Sequence, residues 1–262
     1  MTSWHELDRE LDAWASGGCQ ATLWWRDDDA IEPAPALARL LALSAGQPVP
    51  LAIAVIPARA LPSLAAVLLD HPTVTPMQHG YAHRNHGAKD GELGPARPLA
   101  MNERELALGR RLMGDLFGAA ALPVLVPPWN RIDPALVARL PRLGFRGLST
   151  YGPRATAEPA PGLIQVNTHL DIIDWRGSRG FVGQEKALAQ LIARLGDRRT
   201  CRADPSEPTG LLTHHLVHDA GAWDFIASLL RRIARHRGAR WLAPAEVFAA
   251  AGATRPAFAS QP

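Results

Sequence analysis

Short apolar runs alternate along this chain with longer stretches of helical periodicity. Runs at 21–25, 50–55, 73–78, 124–126, 147–149, 163–166 and 211–213 are bounded by glycine, proline or polar residues. Their length and near-continuous apolar character predict buried parallel strands. Pro76, inside the third run, is the least strand-like of these residues. Apolar residues at helical spacing occupy 36–44, 61–69, 103–117, 134–143, 184–195 and 223–235. Asn102, followed by Glu103 and Glu105, reads as a helix start, and so does Asp133-Pro134, with Asp as cap and Pro in the first turn. The first eleven residues read as an acidic amphipathic helix.

Strand followed by helix, repeated six or seven times, implies a parallel sheet with crossover helices, either a barrel or an open doubly wound sheet. No glycine-rich phosphate loop follows the first strand, which removes support from a nucleotide-binding version. No repeat of fixed period is visible. The segments 87–98 and 200–210 read as loops, and the tail from about 252 as frayed. Residues 1–262 are read as one domain.

Composition narrows the class. A chain of 262 residues, 47% hydrophobic and 20% charged, has the makeup of a globular protein that buries a large core without staples. A net charge of +3, with arginines scattered as short pairs along the chain, is not the concentrated basic face of a nucleic-acid reader. Cys19 and Cys201 stand in unlike contexts and read as free thiols of a reducing compartment. No basic stretch leads into an apolar core at the N-terminus, and the longest apolar segment is broken by Pro57, Arg59 and Pro62. The expectation is a cytoplasmic protein with no membrane span.

The polar residues carry the chemistry, because they cluster where the strands end. The first strand runs into Arg26-Asp27-Asp28-Asp29, and the third into His79-Gly80-Tyr81-Ala82-His83. The fourth runs into Pro127-Pro128-Trp129-Asn130, and the run 163–166 leads to Asn167, His169, Asp171 and Asp174-Trp175. The last ends in His214-His215. In a parallel α/β barrel such ends share one face, where active sites lie. Three consecutive aspartates need compensating positive charge, which a divalent cation supplies, with Arg26 available for one of them. Histidines four apart converge on one ion from a helical turn. Two histidines and a carboxylate leave positions open for water. Alternation sends His214 and His215 to opposite faces, so one faces the site and can protonate a departing amine. Trp129 and Trp175, set among turn residues, suit stacking on a sugar or lining an acyl pocket.

In this order the motifs resemble those of the polysaccharide deacetylase family, metal-dependent carbohydrate esterases that include chitooligosaccharide deacetylases. Asp28-Asp29 resembles the family's Asp-Asp motif, and His79 to His83 its His-x-x-x-His motif. Pro127-Pro128-Trp129-Asn130 resembles its Pro-aromatic motif, Asp171 to Trp175 its Asp-x-x-Asp-Trp motif, and Leu212-Thr213-His214 its terminal Leu-x-His. The resemblance implies a distorted (β/α) barrel of about seven parallel strands. It implies Asp28 as catalytic base, Asp29, His79 and His83 as ligands of a divalent metal (zinc first), and His214 as general acid oriented by Asp171 or Asp174. Asp27-Asp28 is an alternative register for the first motif, although the later pair leaves Ala30 where the family has a small residue. Val126 replaces the family's arginine before the Pro-aromatic motif and Asn130 its glycine, and Arg131 or Arg26 is available to replace the arginine.

The implied reaction is removal of an acetyl group from an N-acetylated sugar or related small amide, with Trp129, Asn130, Arg131 and Trp175 as substrate contacts. Two alternatives share the same scaffold. One is a hydrolase of another carbon–nitrogen bond such as a cyclic amide. The other is a carbohydrate-binding barrel without turnover.

Overall fold

The computed structural model describes residues 2–87 and 91–249, so the tail expected to fray lies outside the described residues. The first half of the chain forms α1 (Trp4–Ser16), β1 (Ala21–Ala30), α2 (Pro35–Gly46), β2 (Leu51–Val55), α3 (Pro62–Leu69), β3 (Val74–His79) and α4 (Leu99–Phe117). Next come β4 (Val124–Val126), the single turn α5 (Pro134–Val137), β5 (Gly147–Leu148), β6 (Ile164–Gln165), β7 (Leu170–Asp171) and α6 (Gln184–Arg199). The chain continues through β8 (Thr209–Thr213), α7 (Ala220–Arg235), β9 (Ala239–Trp241) and α8 (Pro244–Val247).

Every strand pairing is parallel, in the order β6-β5-β4-β3-β2-β1-β8-β7, with β9 added against the start of β1. The two outermost strands, β6 and β7, are consecutive in the chain. Val166 and Thr168 still donate to Leu148 and Thr150 on the β5 side, and the next residue, His169, donates to Gly210 of β8. One extended segment thus joins both ends of the curled sheet, which makes a distorted (β/α) barrel, as expected.

Side-chain alternation explains the two layers. Trp24, Ala52, Ala54, Met77, Val124 and Val126 point to one side and cluster inside the sheet. Their neighbours Leu23, Trp25, Leu51, Ile53 and Val55 face the helices. The alanines of β2 leave the room that the Trp24 indole occupies. The helices answer with apolar stripes at three- and four-residue spacing, such as Leu7, Leu11 and Trp14 in α1 and Phe225, Ile226, Leu229, Leu230 and Ile233 in α7. Among the described residues no helix is long and apolar enough to cross a membrane.

Two local expectations are corrected, and the strand that contains Pro76 is borne out. The helix expected to start at Asn102 begins at Leu99 instead, because Pro98 caps it and Asn102 is buried against the core. The helix expected over 134–143 is one α-turn followed by a tighter turn at Leu140–Leu143 that contains Pro141. Pro76 does lie inside β3: it stands ahead of the first paired residue of β4, and its carbonyl accepts from Leu122, so no ladder N–H is missed there.

The segment between β6 and β7 packs directly on the backbone of β8. A Cβ at Gly210 would lie 2.6 Å from Trp24 Nε1 and 2.7 Å from both the Asn167 carbonyl oxygen and Thr168 Cα. Gly210→Ala is therefore expected to destabilise the fold by about 1–3 kcal/mol, read as a lower urea midpoint with an unchanged slope. An unaltered midpoint would show that the segment is not held against β8.

Candidate metal centre and active site

The expected first strand stops at Trp25, but β1 continues through the acidic run to Ala30. Regular alternation puts Arg26 and Asp28 on the inner side with Trp24 and leaves Asp27 on the outer side with Trp25. The hydrogen bonds follow that division. Arg26, fully buried, forks onto Asp28 with Nε–Oδ1 at 2.8 Å and Nη2–Oδ2 at 3.0 Å. Its remaining N–H groups reach Ser149 Oγ at 2.7 Å and Asn130 Oδ1 at 2.9 Å. Asp27 turns away to Thr213 and His215. A strict strand would send Asp29 out with Asp27. Instead the register to β2 shifts between Asp27 and Ala30, and Asp29 takes φ +77°. The bulge re-aims its carboxylate.

Asp29 Oδ1 lies 3.2 Å from His79 Nε2 and 3.3 Å from His83 Nε2. This oxygen is buried and makes no hydrogen bond. Donors bound tetrahedrally to an ion at about 2.1 Å stand roughly 3.4 Å apart, so the three atoms are spaced as ligands of one cation. Of the His, Cys, Asp and Glu side chains among the described residues, these three form the group whose ligand atoms all lie within 4.8 Å of one another. The donor set therefore fits a divalent metal. His79 is ready for it: its Nδ1 lies 2.9 Å from the Val126 carbonyl, which fixes Nδ1–H as donor and leaves the Nε2 lone pair facing Asp29. Burial opposes ionisation of Asp29, yet the neighbouring imidazoles hold its carboxyl well below the usual carboxylate range. Burial likewise opposes charge on His79, but Asp29 and Asp28 raise its pKa above the ordinary value. Burial and His79 lower that of His83.

The expected helical turn between the two histidines is absent. His79 ends β3, Gly80 has φ +54°, and His83 itself has φ +56°. A Cβ on Gly80 would fall 2.0 Å from Glu92 Oε2 and 2.6 Å from the Pro128 ring, so only glycine fits. Glu92 builds the bend. It is fully buried and accepts the backbone N–H groups of Tyr81 at 2.8 Å, Ala82 at 2.7 Å and Arg84 at 3.3 Å. Sequence reasoning missed Glu92, because a lone acid in a polar loop carries no periodic or spacing signal.

His214 directly follows β8, half-buried, with its ring edge-on to Trp175 at 4.7 Å between centroids. Its backbone N–H donates to His218 Nε2 at 3.1 Å, and burial pushes the His218 imidazole down to about 4, which keeps that nitrogen a lone-pair acceptor at neutral pH. The orienting contact expected from Asp171 or Asp174 is not made. His214 Nδ1 is buried without a partner. Asp171 accepts from Ile173 N–H at 3.0 Å and Trp175 Nε1–H at 2.8 Å instead, and burial raises its pKa while the nearby His214 opposes the rise. Asp174 closes its own turn on Gly177 and Ser178.

The remaining expected contacts separate. Trp129 is 41% exposed, has φ +55°, and lays its ring 4.1 Å from that of His83. So bulky a residue in the left-handed region stores about 1–3 kcal/mol of strain, and the conformation sets an exposed indole beside the His83 imidazole. Trp175 is 38% exposed on the His214 side. Asn130, expected to contact substrate, accepts from Arg26 and so supports Asp28. Arg131 is exposed in the loop that follows. Asp219 caps α7 by accepting from Ala222 N–H.

Two measurements check this centre. Glu92→Ala leaves three loop N–H groups without their acceptor and should lower zinc or cobalt affinity about 10–100-fold in chelator competition. Unchanged affinity would mean that the bend holds His83 without it. Metal also competes with the proton on His79, whose pKa is raised, so affinity should climb with pH through and above the ordinary histidine value of about 6.5. Affinity flat across that range would remove His79 as a ligand.

No protein-family model matches the chain, and no curated protein matches it. Solved structures do. The Bc1960 peptidoglycan N-acetylglucosamine deacetylase aligns at TM-score 0.59 and 14% identity over 87% of this chain and 88% of its own. A family 4 carbohydrate esterase from Streptomyces lividans, in complex with acetate, aligns at TM-score 0.56 and 16% identity over 84% and 91%. A family 4 acetyl xylan esterase from Clostridium thermocellum, in complex with a cobalt ion, aligns at TM-score 0.51 and 15% identity over 87% and 90%. The chain thus has the polysaccharide deacetylase fold over most of its length.

Proposed function

We propose that the chain is a metal-dependent hydrolase that removes the acetyl group from an N-acetylated sugar, with zinc the first candidate metal and the cytoplasm as its compartment. The observation that carries this reading is the convergence of three donors, Asp29 Oδ1, His79 Nε2 and His83 Nε2, beside a carboxylate held by its own arginine. The fold shared with deacetylases supports it.

A divalent ion held by these three residues would supply Lewis acidity to an amide carbonyl and acidify water. Asp28 is the base: Arg26 grips both its oxygens, which fixes the carboxylate facing the inner side of the strand end. It takes the proton of the water that adds to the carbonyl carbon. His214 gives a proton to the amide nitrogen as the carbon–nitrogen bond breaks, and acetate and a free amine leave. Trp129 and Trp175 offer exposed indoles, one beside His83 and one beside His214, on which a sugar ring can stack.

Elemental analysis of the purified protein tests the centre: near-stoichiometric metal is expected in the wild type and its loss in His79→Ala and His83→Ala. Acetate release from N-acetylated sugars tests the reaction. His214→Ala should keep its metal and lose turnover by about 10²–10⁴-fold. A wild type that takes up neither zinc nor cobalt would sink the mechanism, and sugar binding with no acetate release would favour a binding barrel.

A further inference from the structure

Asp27 is the acid of the run that neither the base nor the metal role uses. It is fully buried, and a buried carboxylate is costly unless its oxygens are satisfied. All of the groups that satisfy it come from β8 and the residues just beyond. Oδ2 accepts the Thr213 hydroxyl at 2.6 Å and the His215 backbone N–H at 3.0 Å, and Oδ1 is bonded to His215 Nδ1. Thr213 and His215 are the two residues that flank His214. The Thr213 hydroxyl accepts in turn from Trp25 Nε1 at 2.9 Å, which ties the clamp to the packed outer face of β1.

We propose that Asp27 is the positioning residue for His214, gripping the residues on both sides of it, Thr213 by its hydroxyl and His215 by its backbone N–H and ring, in place of the carboxylate contact that its own ring lacks. His214 leaves β8 with φ −141° and ψ 88°, and the next residues turn at once into the short helix His215–Val217. At such a sharp exit the side-chain direction depends on where the flanking residues are held. Asp27 holds them from the same strand that presents Asp28 and Asp29, so one strand end sets the base, a metal ligand and the acid relative to one another.

The catalytic part of this inference rests on the deacetylase reading, and the test separates the two. In zinc-loaded protein with isotopically labelled histidine, the His214 ring resonance is assigned by its loss in His214→Ala. In Asp27→Asn that resonance should move or broaden, while those of His79 and His83 and the zinc content stay as in the wild type. An unmoved His214 resonance, or loss of zinc, overturns the proposal whether or not any substrate is turned over. If acetate release is found, Asp27→Asn should lower kcat about 10–100-fold at similar KM, and it should cost nothing further in the His214→Ala background, because it acts through that residue. An equal cost in both backgrounds overturns the proposal. If Asp27→Asn fails to fold, Thr213→Val removes a single donor of the clamp and should give the same pattern in weaker form, and its absence there counts equally against the idea. A wild type that binds zinc, shows the His214 shift on Asp27→Asn and releases no acetate would refute only the deacetylase reading.

Discussion

Three adjacent carboxylates at the end of a buried strand are an electrostatic problem that the surrounding structure is arranged to solve. Removing even one such charge from water costs several kcal/mol unless it is paired, and like charges this close raise the cost. Each acid has its own counter-group, delivered from a different direction. Asp27 has His215 on the outer face, Asp28 has the Arg26 fork on the inner face, and Asp29 has the two imidazoles of the β3 loop. Burial opposes the charge on Asp27 and His215 alike, and the pairing outweighs it in both: the carboxyl is held below its ordinary value and the imidazole above. Such a pair contributes to stability only while both partners are charged.

The solution needs backbone irregularity in defined places. Period-two alternation can serve two of the acids but not three, and the bulge with Asp29 at φ +77° releases the third from the pattern. Positive φ at Gly80 and His83 lets a sequence spacing of four close on one point without a helix, and positive φ at Trp129 and Asn130 brings an indole and an amide to the same rim. This strain is sustained by contacts around it: Glu92 beneath one loop, and Arg26 reaching Asn130 in the other. A buried arginine on β1 thus supplies the partner for Asp28, with Val126 occupying the position before the Pro-Pro-Trp loop.

The barrel accounts for why the groups meet at all. Parallel strands deliver all their C-terminal ends to one side, and the segment from β6 to β7 returns the sheet's far edge to β8. His214, just past β8, is then separated from the β3 loop by β2 and β1.

Much of this was legible in the chain itself. Alternating apolar runs and helical stripes were enough for parallel strands with crossover helices, since burial of both sheet faces leaves that pattern whatever the details. The placement of Asp29, His79, His83 and His214 after apolar runs marked the chemical end of the barrel, because strand termini are where polar groups remain accessible. Tertiary structure alone decided which aspartate meets which partner, because that depends on a bulge and on partners as far as 188 positions away. It also placed Glu92, whose role lies in backbone N–H groups that no side-chain pattern reports. And it turned Asp171 and Asp174 to other partners and tied Thr213 and His215, the neighbours of His214, to Asp27, since hydrogen bonds are settled by distance and angle after the strands have packed.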